Sequence, residues 1–252
     1  QHLADRLEFF RAIGRPRGIA RLNNPCNPTG AAYSAEELKP ICEVLMRHPH
    51  VWVLTDDIYD KLAYDGFKPG TIVAVEPRLR DRTLTVHGVS KSYAMTGWRI
   101  GFAGGPVALI KAMDKLQSQS TSNPSTIAMA AAVEAVAGQQ DTVEEMRKVF
   151  EQRRNMVIEM LNKAPGVHCS KPDGAFYVYP SIAGCLGKTS KGGAKIDTDE
   201  AFVLALLAEE GVATVHGAAF CYPGYIRISY ANATEELREA MIRIQRFCEG
   251  LH

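Results

Sequence analysis

The sequence has no excess of charge of either sign and no run of basic residues. Lysine and arginine together number 29 and aspartate and glutamate 28, which leaves a formal net charge of +1. Proteins that bind nucleic acid or anionic membranes do so mainly through clustered Lys and Arg. We therefore expect no nucleic-acid partner, and recognition by this chain has to come from local sites.

Long apolar runs and paired cysteines are also missing. A membrane-spanning helix needs about 18 consecutive apolar residues, and no such run occurs. The six cysteines lie far apart without a Cys-x-x-Cys pair, which predicts reduced thiols and neither disulfides nor a metal site. The start, Gln1–Asp5, lacks Met and the basic-then-apolar pattern of a signal peptide. We therefore expect a cytoplasmic protein that does not bind a membrane and whose sequence is truncated at its front.

What the sequence does contain is an alternation of short apolar runs with helical patterns. Strands are predicted at 19–22, 51–55, 83–86 and 99–103, and the capping box Ser34–Glu37 predicts the start of a helix after the first strand. This alternation is typical of an α/β layer with parallel strands. The chain has no Gly-x-Gly-x-x-Gly fingerprint, and the spacing in Gly101–Gly105 is wrong for one. A nicotinamide dehydrogenase, which would contain a similar α/β layer, is therefore disfavoured.

The second half of the chain has a different pattern. Helices are predicted at 106–119 and 124–138, followed by a long helix at 141–163. Short strands and two further helices then alternate up to the C-terminus. This order predicts a smaller α/β domain hinged on the long helix. We accordingly divide the chain into a large domain, 1–145, and a small C-terminal domain, 146–252.

Several polar residues lie at or near the ends of the predicted strands: Asn27, Asp56, Lys91 and Arg99. Each has an ordinary interpretation, since Asn27 fits a turn, Asp56 a helix cap, and the two cations an exposed loop. Ligands of open α/β sheets, however, bind beyond the carboxyl ends of the strands. Together these residues supply what a pyridoxal-phosphate (PLP) enzyme requires, namely an amine nucleophile, a carboxylate for the pyridine nitrogen and a guanidinium for the phosphate.

Five segments, in this order along the chain, resemble the signature segments of class I PLP-dependent aminotransferases of fold type I, and especially those of bacterial aspartate aminotransferases. They are Asn23–Gly30, Asp56–Tyr59, Ser90–Gly101, Gly174–Tyr177 and Tyr225–Tyr230. The resemblance implies an α/β fold with a mainly parallel sheet in the large domain, incomplete in this chain, and a small C-terminal α/β domain. It also implies a homodimer with active sites at the interface.

The resemblance further implies a role for each cofactor residue. Lys91 holds PLP as a Schiff base and moves the proton between the substrate Cα and the cofactor. Asp56 pairs with the pyridine nitrogen, and Tyr59 donates a hydrogen bond to the phenolic oxygen. Ser90 and Arg99 bind the phosphate.

Two further residues are implied to bind substrate or to act near it. Asn27 hydrogen-bonds the phenolic oxygen and contacts the substrate carboxylate, which Arg227 clamps. Arg227 lies between Ile226 and Ile228, so strand alternation turns it away from the face that the two isoleucines share. His87 stands where many relatives carry Asn, and it is given no role, since a lone histidine beside a glycine is usually structural.

The implied reaction is transamination of an L-amino acid, aspartate by resemblance, with the 2-oxo acid 2-oxoglutarate. A C–S lyase of the same fold and an inactive fragment or binding module are the alternatives. Relatives have a preceding segment with a phosphate loop and an aromatic residue that stacks on the pyridine ring. We therefore expect weak or no activity from this chain alone. No Arg or Lys occurs at 117–132, where some relatives place the cation for the distal carboxylate, so the amino-acid preference stays open.

Overall fold

The computed structural model describes residues 18–252, which fall into two compact units. Unit 1 comprises the described residues up to Cys26 together with Ala32–Glu144, and unit 2 comprises Asn27–Ala31 together with Glu145–His252. The sequence-based division at 145/146 places Asn27–Ala31 in the first domain, whereas its contacts place that segment in unit 2.

Unit 1 is built on a four-stranded sheet in the order β1-β2-β3-β4. The strands are β1 (Ile19–Asn23), β2 (Trp52–Asp56), β3 (Thr83–Gly88) and β4 (Gly101–Gly104). As the alternating pattern predicts, β1, β2 and β3 are parallel. In contrast, β4 is antiparallel to β3. The reason lies in the connection, because residues 89–100 contain only one 3-10 turn, Thr96–Trp98, and a parallel return needs a longer crossover.

One face of this sheet is covered by helix α1 (Ala35–Arg47). The helix begins where predicted, since the Ser34 side chain accepts a hydrogen bond from Glu37 N and the Glu37 carboxylate accepts one from Ser34 N. Its apolar side, including Leu38 and Leu45, packs with sheet residues such as Val53. Each fully buried leucine contributes about 1.5–3 kcal/mol to stability. The remaining members of this core are Ala20, Cys42, Val51, Ile72 and Leu79.

The other helices of unit 1 are α2 (Ile72–Val75), α3 (Val107–Ser118) and α4 (Thr126–Ala137). Of these, α3 and α4 are largely exposed. Helix α3 has no buried residue, and α4 buries only Ala128 and Ala132. Large apolar side chains such as Leu116 and Ile127, each 73% exposed, lie on their surfaces.

Unit 2 contains a three-stranded antiparallel sheet in the order β5-β7-β6. The elements are β5 (Tyr177–Val178), α6 (Asp199–Glu210), β6 (Val215–His216), β7 (Ile226–Ser229) and α7 (Thr234–Glu249), preceded by the long helix α5 (Asp141–Leu161). Helices α6 and α7 bury Phe202 and Phe247, whose rings meet edge to face. Strand β5 has only two residues. Across residues 18–252, no helix is both long and apolar enough to cross a membrane.

Candidate active site

The predicted cofactor residues of unit 1 lie at one end of its sheet. Asp56 is the last residue of β2 and is in register with Val86 of β3. Lys91 follows three residues after the end of β3, and Arg99 lies two residues before β4 begins. Since β4 starts opposite Gly88, the last residue of β3, Arg99 enters from the same end. The sheet therefore brings the segments that carry the amine, the carboxylate and the guanidinium to a common edge.

The two neighbouring aspartates after β2 have different surroundings. The Asp57 side chain is buried with Val53 and Thr55, and Thr55 Oγ1 donates a 2.5 Å hydrogen bond to Asp57 Oδ1. Burial raises the pKa of Asp57, against the lowering effect of hydrogen bonds from Thr55 and Thr71. Asp56 points to the opposite face by strand alternation and is only half-buried. It is thus Asp56 that presents a carboxylate to the face not covered by α1.

The segment that carries Lys91 is a compact turn. Its backbone is closed by hydrogen bonds from Tyr93 N to Val89 O and from Ala94 N to Lys91 O, both 3.2 Å. Ser90 and Lys91 are half-buried, whereas Ser92 is fully buried. The Ser92 hydroxyl lies 3.2 Å from Ile58 O. This contact joins the turn with Lys91 to the segment Asp56–Tyr59.

Tyr59 and Arg99 differ in exposure. Tyr59 is 3% exposed, so its side chain is part of the packed structure of unit 1. Arg99 is exposed, has a left-handed backbone with φ 52°, and donates a hydrogen bond from Nη1 to Thr96 O (2.9 Å). The left-handed residue ends the 3-10 turn and redirects the chain into β4.

The two predicted substrate residues meet in unit 2. Arg227 Nη1 donates a 2.9 Å hydrogen bond to Asn27 Oδ1. The guanidinium also lies over two aromatic rings, 4.8 Å from the centre of Tyr177 and 4.9 Å from that of Phe220. These cation–π contacts orient the side chain. As alternation predicts, Ile226 and Ile228 are buried on the other face of β7.

The Asn27 segment is fixed by close backbone packing at Gly30. Gly174 N donates a 2.8 Å hydrogen bond to Gly30 O. Gly30 has φ +70°, and a Cβ there would lie 2.6 Å from Pro172 Cβ. Pro172 O in turn accepts a 3.0 Å hydrogen bond from the fully buried Arg154. Only glycine satisfies both the left-handed conformation and this close approach.

Sequence reasoning gave no role to several residues that contact the predicted site. In unit 2, Phe220 ends the short 3-10 helix Gly217–Phe220 after β6, and this helix has no periodic signal in the sequence. In unit 1, Asp60 lies 3.1 Å from His87 Nε2 and 3.4 Å from Ser92 Oγ. The sequence offers one clue to Asp60 and Ser92, which is that Asp60 directly follows Tyr59 and Ser92 directly follows Lys91.

Comparisons with known proteins point to one family. The family model for aminotransferase class I and II matches residues 8–244. The chain is 60% identical over 229 residues to an aspartate/prephenate aminotransferase of Cereibacter sphaeroides, covering 91% of this chain and 57% of that protein. It is 52% identical over 230 residues to an aspartate aminotransferase of Rhizobium meliloti, covering 91% of this chain and 56% of that protein.

Solved structures give the same result for the fold. The crystal structure of the aspartate aminotransferase from Rhizobium meliloti superposes with a TM-score of 0.90 at 51% identity, covering 93% of this chain and 58% of that one. The aspartate aminotransferase from Thermus thermophilus with maleate gives 0.81 at 36% identity, covering 91% and 56%. The chain thus has the aminotransferase fold and spans somewhat more than half the length of these relatives.

Proposed function

The chain belongs to the class I and II aminotransferase family, and we propose that it forms the lysine-bearing part of a PLP-dependent aminotransferase. One observation carries the proposal. Asp56 and Lys91 stand on adjacent segments of unit 1 that are joined by the contact between Ser92 Oγ and Ile58 O, 3.2 Å. A carboxylate and a lysine in this relation are the pair that PLP chemistry requires.

The residues of unit 1 fit PLP by the chemistry of their donor groups. Asp56 offers a carboxylate for a protonated ring nitrogen, and Lys91 offers an amine for the aldehyde. Ser90 and Arg99 offer a hydroxyl and a guanidinium for the phosphate, where charge-assisted hydrogen bonds are strong. Tyr59 offers a phenolic donor for the ring oxygen. When bound, PLP supplies an electron sink for the substrate's Cα.

Each residue then has a defined task. Lys91 Nζ would accept the proton that leaves the substrate Cα and pass it to the cofactor. The negative charge of Asp56 favours the protonated ring nitrogen. In unit 2, Arg227 binds the α-carboxylate. A guanidinium carries five N–H donors, so the bond from Arg227 to Asn27 is compatible with bidentate carboxylate binding.

The substrate is proposed from the relatives. We propose aspartate as the amino donor and 2-oxoglutarate as the acceptor. The name of the Cereibacter sphaeroides relative adds prephenate as a second 2-oxo acid to test. We further propose a homodimer in the cytoplasm. Light scattering after size-exclusion chromatography measures the assembly, and a mass of one chain would contradict the homodimer.

The decisive experiment is to add PLP, record the absorbance spectrum, reduce with borohydride and map the modified lysine by mass spectrometry. We expect modification at Lys91, its loss in Lys91→Arg, and its retention in Lys115→Arg, an exposed control on α3. A wild-type chain modified at a different lysine would contradict the proposal. Glutamate formed from 2-oxoglutarate and aspartate indicates transamination, whereas pyruvate and a thiol released from a sulfur amino acid indicate the C–S lyase alternative.

A further inference from the structure

The carboxylate of Asp60 contacts two other segments of unit 1. Its Oδ1 lies 3.1 Å from His87 Nε2, at the end of β3, and 3.4 Å from Ser92 Oγ, in the turn after β3. These partners are 27 and 32 residues away along the chain. The contact with Lys61 is different, because Lys61 is adjacent in sequence, its nitrogen is 3.8 Å from Oδ2 and its side chain is half exposed. An exposed pair of that kind contributes little to stability.

Asp60 and Ser92 are each adjacent in sequence to a residue of the proposed cofactor site. Asp60 directly follows Tyr59, and Ser92 directly follows Lys91. Ser92 is fully buried, and its hydroxyl lies within reach of both Ile58 O (3.2 Å) and the Asp60 carboxylate. A buried hydroxyl without partners would be unfavourable, so these acceptors fix the turn that carries Lys91.

The imidazole of His87 is oriented from several sides. Its Nδ1 accepts a 2.7 Å hydrogen bond from Gly88 N, which leaves the proton on Nε2, facing Asp60. Its ring stacks on Phe102 of β4, with centroids 5.2 Å apart and an interplanar angle of 5°. The charged groups that act on His87 are Asp60 and Asp57. Burial lowers the pKa of His87, and the bond and charge of Asp60 outweigh it and raise that pKa.

We propose that Asp60 is a positioning residue that holds the Asp56–Tyr59 segment against the Lys91 turn, with the side chains of His87 and Ser92 as donors. This gives His87 a role that the resemblance did not. The consequence for catalysis rests on the proposed function of Lys91 and Tyr59. The contacts of Asp60 with His87 and Ser92, which we call the clamp, involve only described residues of unit 1. They can therefore be tested without cofactor.

The first test uses the full chain without PLP. Hydrogen exchange of peptides covering residues 88–95, and the pKa of His87 from imidazole NMR, are compared in wild type, Asp60→Asn and Asp81→Asn. Loss of a charged hydrogen-bond acceptor corresponds to about tenfold or more faster local exchange. We expect this acceleration and a lower His87 pKa in Asp60→Asn only, because Asp81 lies before the opposite end of β3. Unchanged exchange and an unchanged His87 pKa would overturn the proposal.

Two further variants test the proposal even if Asp60→Asn does not fold. Ser92→Ala keeps the pair of Asp60 and His87 and removes one donor, so we expect faster exchange with little change in the His87 pKa. Asp60→Glu keeps the carboxylate, and we expect it to restore most of the protection that Asp60→Asn loses. Should Asp60→Asn not fold, a Ser92→Ala variant with wild-type exchange would equally overturn the clamp.

The second test adds PLP and measures borohydride-trapped modification of Lys91 between pH 6 and 9. We expect Asp60→Asn to reduce the yield at Lys91 and to change its pH profile, a readout that general loss of stability does not produce. An unaltered profile would contradict a positioning role. Trapping at a different lysine in the wild type would count against the proposed function, while the exchange experiment would still decide on Asp60.

Discussion

Arg227 donates a hydrogen bond to Asn27 across 200 residues of sequence, at 2.9 Å. The two side chains belong to the same compact unit, because the short segment Asn27–Ala31 packs with residues 145–252. The guanidinium is held in addition by the faces of Tyr177 and Phe220. An arginine held in this way loses less conformational freedom when a carboxylate binds. Unit 2 therefore holds the proposed carboxylate receptor, Arg227, in a fixed orientation.

The first prediction concerns this receptor. Arg227→Lys keeps the charge but removes the planar fork that binds a carboxylate through two bonds. We expect the apparent affinity for aspartate, measured from the absorbance change of bound PLP, to fall on the order of 100-fold, since each charged hydrogen bond contributes about 1.5–3 kcal/mol. Arg238→Lys, at an exposed position on α7, is the control and should keep the wild-type affinity. Equal affinities in all three proteins would refute the assignment.

The second prediction separates the neighbouring aspartates. Asp56→Asn removes the carboxylate that we assign to the ring nitrogen, and we expect the dissociation constant of PLP to rise roughly 10- to 100-fold. Asp57→Asn changes the buried neighbour, whose side chain is hydrogen-bonded to Thr55 and does not share the face of Asp56, so PLP affinity should stay near the wild-type value. A larger effect from Asp57→Asn than from Asp56→Asn would reverse the assignment.

Much of this site could be predicted from the sequence because its signals are local. Alternation placed Arg227 away from the buried isoleucines, and the capping box located the start of α1. Asp56 and Lys91 could be placed because parallel strands bring their carboxyl ends to one edge. The family match supplied the roles, and these stay predictions until the cofactor is bound and mapped.

Other features depend on tertiary packing, which leaves no periodic signal. The contact of Asp60 with His87 joins a turn after β2 to the end of β3, and neither residue forms a motif with the other. Phe220 contacts Arg227 from the end of a short 3-10 helix between β6 and β7. The direction of β4 follows from the short connection before it, which the strand pattern alone did not reveal.

The third prediction concerns pH and stability. The folded pKa of His87 is raised above the unfolded value of about 6.5. The pair with Asp60 therefore contributes its full stability below pH 6.5 or so, and that contribution is lost as pH rises through the folded pKa. Urea unfolding of wild type and His87→Asn at pH 5.5 and 8.5 should show a larger wild-type advantage at pH 5.5. Protonation of His87 at Nδ1 breaks the hydrogen bond from Gly88 N. An equal advantage of the wild type at both pH values would therefore mean that the loss of this hydrogen bond cancels the attraction between His87 and Asp60.

The fourth prediction concerns Gly30, which supports the Asn27 segment. An alanine there meets two separate costs, the left-handed φ of +70° and a Cβ only 2.6 Å from Pro172 Cβ. Gly187 has a similar φ of +80° in the same unit, but no atom lies within 4 Å of its Cβ position. Gly187→Ala therefore measures the backbone cost alone, about 1–2 kcal/mol, while Gly30→Ala adds overpacking of roughly 1–3 kcal/mol.

The two glycine variants are compared by urea unfolding and by aspartate binding. We expect the larger loss of unfolding free energy in Gly30→Ala, together with weaker aspartate binding, because displacement of the Asn27–Ala31 segment shifts the hydrogen-bond partner of Arg227. Gly187→Ala should lose stability without a change in aspartate affinity. If both variants lose the same free energy, the close approach to Pro172 does not constrain residue 30. If Gly30→Ala loses stability but binds aspartate normally, then Arg227 is oriented by Tyr177 and Phe220 without help from Asn27.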